Sequence, residues 1–265
     1  MHTRRVVGRV RRYLLHDPPG LTRHGAKPLV IVLHGDKGTA AGIRRLTGFD
    51  AVADRAGFLV VYPEGTGWAG LPMRSWNAGN CCGYPMGTRV DDVAFIRTLV
   101  DELVQTGSAD ARRVYITGFS NGGMMAYRLA CELSDRLTAI APVAGAMAFA
   151  PCAPTRPVSV LAVHGTADAH VPYEGGRSLR TQDERVDVPV ADAVSFWVRH
   201  NGCSPQPETT LVGLAARTRY TGCRGGTEVV LYTLDAGGHE WPGRRARDVP
   251  TTELLWEFFS QHTAP

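Results

Sequence analysis

A single serine stands in the run Gly118-Phe119-Ser120-Asn121-Gly122, with a glycine two positions to either side and another at Gly123. A serine hydroxyl attacks a carbonyl only when a base takes its proton, so the run matters only if a histidine and an acid can reach it. Nine histidines are available. His34 and His164 each precede a glycine at the end of an apolar run and fit structural roles. His2, His16, His24, His200 and His262 fall in terminal, early or helical segments. His170 is close to an acid candidate but comes before the last apolar run. His239, in "DAGGHEWPG", follows that run on a glycine-rich loop able to fold back on the serine, and is the expected base. Asp168, in "HGTADAHVPY", is the expected acid, holding the imidazole tautomer and stabilising the imidazolium. Asp235 is nearer to His239 in sequence, yet it ends the very run that leads to the histidine.

Such a serine needs a strand to deliver it and a helix to carry the chain away. "RVYITGF" (113–119) has the β-branched, apolar character of a strand, and an amphipathic segment starts at Asn121. That is the strand–turn–helix context G-x-S-x-G requires, in which bulkier residues at Gly118 and Gly122 would collide with neighbouring backbone. The turn aims the Asn121 N–H at an incoming carbonyl. A second donor for the oxyanion is expected from "LHGDKGTA", at the Asp36 N–H. The order Ser120, Asp168, His239 is that of an α/β-hydrolase.

Further runs at 28–35, 58–65, 139–145, 158–165 and 227–235 are apolar almost throughout, as strands buried on both faces are. Between them, 91–107, 190–202 and 251–262 carry helical spacing; Asp91 and Asp92 suit a helix N-terminus. Alternating strands and helices predict one α/β domain over 1–265, a mostly parallel central sheet with helices on both faces and no large lid. From Pro63 to Val90 periodicity lapses for 28 residues containing two tryptophans and two cysteines, which predicts an ordered functional loop.

The 265-residue chain is 44% hydrophobic and 20% charged, with a net charge of +4. That balance excludes a dedicated nucleic-acid binder, and no apolar run reaches membrane-spanning length. Arg4, Arg5, Arg9, Arg11 and Arg12 are expected on a solvated edge strand. The six cysteines lack zinc-site spacing, so no metal and no cofactor is expected, and disulfides in an oxidising compartment are favoured. Cys203 is expected to pair with Cys223 across a short turn- and strand-rich excursion. Because adjacent cysteines seldom bond to each other, Cys81 and Cys82 are expected to divide between Cys131 and Cys152.

The motifs "LHG" (33–35), "WNAGNCCG" (76–83), "VDDVAFI" (90–96), "GFSNGGMMAYRLACELSD" (118–135), "HGTADAHVPYEGG" (164–176) and "GGHEWPG" (237–243) together resemble the polyhydroxybutyrate depolymerase and feruloyl esterase family, relatives of carbohydrate esterase family 1. The resemblance implies the same three residues as a triad. It also implies secretion, with a cytoplasmic chain as the alternative, since the N-terminus has no signal-peptide hydrophobic segment. The expected activity is hydrolysis of a small or oligomeric carboxylic ester, a polyester or a feruloylated or acetylated polysaccharide, by a monomer. Trp76, Trp241 and Tyr173 are expected beside the cleft. An acyltransferase, a prolyl-oligopeptidase-like peptidase or a catalytically retired binding protein are the alternatives on this fold.

Overall fold

In β3 (Lys27–Leu33) the side chains of Leu29, Ile31 and Leu33 enter one apolar core, while Val30 and Val32 enter another on the opposite side. This two-residue alternation, with both sets buried, is the signature of a strand covered on both faces. The computed structural model describes residues 1–19, 25–69, 71–180, 184–243 and 249–265; His24, set aside above, lies outside them. Among the described residues β8 (Gly176–Arg177) pairs with β9 (Val186–Asp187) in a separate two-stranded sheet, and ten strands form one sheet. Its centre is parallel: β4 (Leu59–Pro63), β3, β5 (Ala109–Phe119), β6 (Ala139–Val143), β7 (Ser159–Gly165) and β12 (Val229–Leu234) lie side by side in that order. Antiparallel pairs extend both edges, β1 (His2–Val6) with β2 (Arg9–His16) beyond β4, and β11 (Ala215–Tyr220) with β10 (Glu208–Val212) beyond β12.

Helices α4 (Asp92–Gln105), α5 (Asn121–Glu132) and α6 (Val190–Asn201) contribute to the first core. Helices α1 (Ala40–Thr47), α2 (Phe49–Ala56) and α7 (Thr251–Ser260) contribute to the second. After α7 the tail turns under the sheet: the Tyr115 hydroxyl donates to the His262 carbonyl at 2.6 Å, and the Ala264 N–H to the Arg112 carbonyl at 2.8 Å. The C-terminus is thereby fastened at the start of β5, the end remote from Ser120. No helix among the described residues is long and apolar enough to cross a membrane.

One expectation about charge needs correction. Arg4, Arg5, Arg9 and Arg12 are exposed, but Arg11 is buried and paired with Asp92 at 2.6 Å, the two side chains 2% and 0% exposed. Asp91 caps α4 by accepting from the Ala94 N–H at 2.8 Å, while Asp92 turns inward, its second oxygen taking the Asn77 N–H. The pair pins the long loop to the edge of the sheet. That loop contains α3 (Gly83–Gly87) and two isolated bridges, Gly38 with Arg74 and Thr66 with Ser75.

One disulfide joins Cys203 to Cys223, tying the end of α6 to the turn after β11. The other two pairings differ from expectation: Cys131 bonds Cys152, and Cys81 bonds Cys82. The reason lies in α5. Cys81 Sγ sits against the Asn121 amide at the helix start, whereas Cys131 is ten residues further on, about 15 Å along the axis. A disulfide spans Cα atoms no more than ~7 Å apart. Cys152 approaches Cys131 to 5.0 Å between Cα atoms and is the partner within reach.

Candidate active site

β5 ends at Phe119 and α5 begins at Asn121, so Ser120 alone makes the turn, with φ of 56° and ψ of −120°. A serine is held in this sparsely populated region only when its surroundings over-determine it. The surroundings here are crossing backbones. A Cβ on Gly118 would lie 2.5 Å from the Gly122 backbone, and one on Gly122 would strike the Leu33 carbonyl oxygen. The Ser120 N–H donates to the Val143 carbonyl at 2.9 Å, fixing the turn to β6.

The Ser120 Oγ lies 2.9 Å from His239 Nε2, and His239 Nδ1 lies 2.8 Å from Asp168 Oδ2. Two short loops, after β7 and after β12, bring the acid and the histidine together. They are stapled by Thr166 N–H to the Leu234 carbonyl and Ala167 N–H to the Gly237 carbonyl, at 3.0 and 2.9 Å. Burial pushes the Asp168 carboxyl up. Its hydrogen bonds with His164 and His239 and from the Val171 N–H outweigh that and hold it below the usual carboxylate range. Asp168 is therefore ionised and able to stabilise an imidazolium. Asp235 is elsewhere, its carboxylate reached among the described residues only by the Thr166 hydroxyl at 3.5 Å. His164, at the end of β7, bonds the Val171 carbonyl at 2.8 Å and supports the acid loop from behind.

The serine opens on a cleft of about 520 Å³. Ile43, Leu46, Phe119 and Met124 give it an apolar wall; Lys37, His170 and Arg180 give it polar ones. The Asp36 and Asn121 residues both border it, and among the described residues neither backbone N–H donates to a protein acceptor. The Asp36 carboxylate accepts from the Ser75 hydroxyl at 2.5 Å and is thus engaged sideways, by the long loop. Ligand atoms of Asp168, His170 and His239 come within 4.8 Å of one another, a spacing a cation could bridge, although two of them already bond each other.

The three expected substrate contacts are not at the cleft. Trp76 is 0% exposed; its indole N–H donates to the His34 carbonyl at 2.9 Å behind the Asp36 loop. Trp241 is buried against Phe49, its N–H on the Thr252 hydroxyl. Tyr173 places its hydroxyl on that of Thr233. Each aromatic ring found a polar partner inside the fold, which sequence spacing does not reveal. Sequence reading also missed the Asn121 side chain. Its amide clamps the long loop, with Oδ1 accepting from Trp76 N–H at 2.7 Å and Nδ2 donating to the Trp76 carbonyl at 3.1 Å. His170 was noticed only as a weaker base, yet its ring stacks on that of His239 with centroids 4.7 Å apart.

A mainly parallel sheet covered on both faces, with a serine on the turn between β5 and α5, is the α/β-hydrolase architecture. The acetyl xylan esterase of Aspergillus awamori shares the fold, with a TM-score of 0.64 at 16% identity over 94% of this chain and 93% of that one. The chain belongs to the esterase PHB depolymerase family, whose model matches residues 11–169, and as an esterase of that family it is a hydrolase of carboxylic esters. The match takes in Ser120 and Asp168 and stops short of His239. "Putative esterase NocK" of Nocardia uniformis subsp. tsuyamanensis is 34% identical over 90% of this chain and 72% of its own length. Feruloyl esterase B of Piromyces equi is 32% identical over 96% of this chain, which spans only 46% of that protein.

Proposed function

We propose that the protein is a cofactor-free serine esterase working through an acyl-enzyme, with Ser120 as nucleophile, His239 as general base and acid, and Asp168 as the residue that orients and stabilises His239. The observation that carries this reading is the unbroken line of hydrogen bonds from Asp168 Oδ2 through His239 to Ser120 Oγ, 2.8 and 2.9 Å long, ending in an open cleft. In the first half-reaction His239 Nε2 takes the Ser120 proton as Oγ adds to the ester carbonyl. The oxyanion is met by the N–H groups of Asp36 and Asn121, each such donor being worth ~10²–10³ in rate. Collapse expels the alcohol, protonated by His239. Water, deprotonated by the same nitrogen, then releases the acid and restores the serine.

The substrates belong to the ester classes suggested by the relatives' names, feruloyl or acetyl groups on polysaccharide, or hydroxyalkanoate polyester. We read the protein as a secreted monomer; the three disulfides support the oxidising compartment. The test is hydrolysis of p-nitrophenyl butyrate together with labelling by an organophosphonate. Wild-type protein takes up one phosphonyl group per chain and turns over the ester, and Ser120→Ala does neither while keeping its circular dichroism. Undiminished hydrolysis by Ser120→Ala would overturn the assignment.

A further inference from the structure

Three cationic side chains border the cleft: Lys37, Arg180 and Arg185. One of them is already paired with a carboxylate. Arg185 forms a two-point ion pair with Asp187, Nε to Oδ1 at 2.8 Å and Nη2 to Oδ2 at 3.1 Å. Lys37 follows Asp36 directly on the wall that carries the oxyanion donors. Arg180 stands instead with the loop that carries the acid. Among the described residues its guanidinium makes no hydrogen bond or ion pair. Asp168, the acid on that side, is wholly buried behind His239 and already accepts the His170 and Val171 N–H groups.

The Arg180 side chain is exposed, but its backbone is anchored. The Leu179 N–H donates to the Ala169 carbonyl at 2.9 Å, and the Ser178 hydroxyl, which accepts from the Arg180 N–H at 3.1 Å, reaches the same carbonyl at 3.3 Å. Ala169 lies between Asp168 and His170. The arginine is therefore fixed to the loop that supplies the acid, and its charge is felt at His170, whose ring covers His239. That side of the cleft is where His239 Nε2 must hand a proton to the departing alcohol. An anionic group on the alcohol, a few bonds from the ester oxygen, would meet the guanidinium.

We propose that Arg180 forms a carboxylate-binding subsite on the leaving-group side, and that the preferred substrates are esters whose alcohol is itself a hydroxy acid with a free carboxylate. This rests on the serine-esterase reading above and adds the charge of the substrate to it. Cleavage keeps the usual balance: the acyl–oxygen bond breaks, water adds, and the products are the acyl acid and a hydroxy acid anion. A planar guanidinium takes a carboxylate by two parallel hydrogen bonds, which an ammonium cannot copy.

The test compares two esters that share acyl group and ester bond, 3-acetoxybutanoate and its uncharged amide, 3-acetoxybutanamide. Wild type should show a KM for the acid about tenfold below that for the amide, with the gap shrinking in 0.5 M NaCl. Arg180→Gln should raise KM for the acid about tenfold, leave kcat unchanged, and leave both constants for the amide unchanged, the pattern of lost ground-state binding. Arg180→Lys should recover only part of the loss, and Lys37→Gln should affect the acid less than Arg180→Gln does. No preference for the acid in wild type, or equal effects of Arg180→Gln on acid and amide, would overturn the subsite. Turnover of p-nitrophenyl butyrate without turnover of either probe would also overturn it while leaving the esterase reading standing. Failure on all three esters would remove both.

Discussion

His34 directly follows β3 at the base of the Asp36 loop, 1% exposed, and replacing it with glutamine should change how the protein responds to acid. Its Nδ1–H donates to the Gly35 carbonyl at 2.8 Å, and its Nε2 accepts the Gly65 N–H at 3.0 Å. A second proton would have to displace that N–H inside the core. Burial holds the imidazole down to about 4, from 6.5 in a free histidine. As pH falls below 6.5 the unfolded chain takes up a proton at His34 that the native chain refuses, so stability is complete above 6.5 and is lost progressively towards pH 4. At about 1.36 kcal/mol per pH unit, the loss by pH 4.5 comes to about 2–3 kcal/mol. His34→Gln abolishes this one titration and keeps every other. At pH 7.5 the variant should be the less stable by about 1–3 kcal/mol, for the buried partners it leaves unsatisfied. By pH 4.5 the difference from wild type should narrow by about 2–3 kcal/mol, or reverse. Urea denaturation read by tryptophan fluorescence would register this as a relative shift of about 1 M in midpoint, given a slope of roughly 2.5 kcal/mol per M. If both proteins lose stability in parallel between pH 7.5 and 4.5, His34 does not resist protonation and the reasoning is refuted.

Asp168→Asn should lower kcat ~10³–10⁴-fold by favouring the wrong histidine tautomer, whereas Asp235→Asn should stay near wild type; the opposite ranking in steady-state kinetics would sink the acid assignment. Asp92→Ala should cost about 3–5 kcal/mol, because it strands the Arg11 guanidinium, whose Nε already has no partner among the described residues. A calorimetric loss below about 1 kcal/mol would show that Arg11 relaxes to solvent instead. Proteolysis without reduction should release Cys131 and Cys152 peptides as a linked pair and Cys81 and Cys82 oxidised within one peptide. A cross-link from either adjacent cysteine to Cys131 or Cys152 would contradict the pairing described above.

The strands and most helices could be read in advance because a doubly covered parallel sheet writes itself as apolar runs, as 28–35 and 158–165 are almost throughout. Ser120, Asp168 and His239 were singled out together because each stands at the end of such a run, where topology brings the loops to one edge. What stayed hidden depends on partners distant in sequence. Arg11 looked like one of five surface arginines until Asp92, 81 residues later, was found facing it. Trp76 looked like a substrate platform because the fully buried carbonyl that takes its N–H belongs to His34. The cysteines were misjudged from spacing alone, since the ten residues from Asn121 to Cys131 become a rigid separation only once they are helical. Arg180 carried no motif. Its placement depends on a backbone hydrogen bond from Leu179 to the acid loop, which leaves no mark on residue types.

The tail fastened beneath β5 bears on how this protein would behave on a solid support. Residues Arg112 and Ser120 are eight positions apart on that strand and its turn, about 26 Å at 3.3 Å per residue. A linker attached after Pro265 therefore leaves from the side facing away from the cleft, and a bead or electrode coupled there would present the serine outward. Coupling through the N-terminal hairpin gives no such orientation, because its exposed arginines run along the sheet's edge and would themselves adhere to an anionic matrix. For a bioreactor or a sensing film, the choice of end decides which face of the protein the flowing substrate meets.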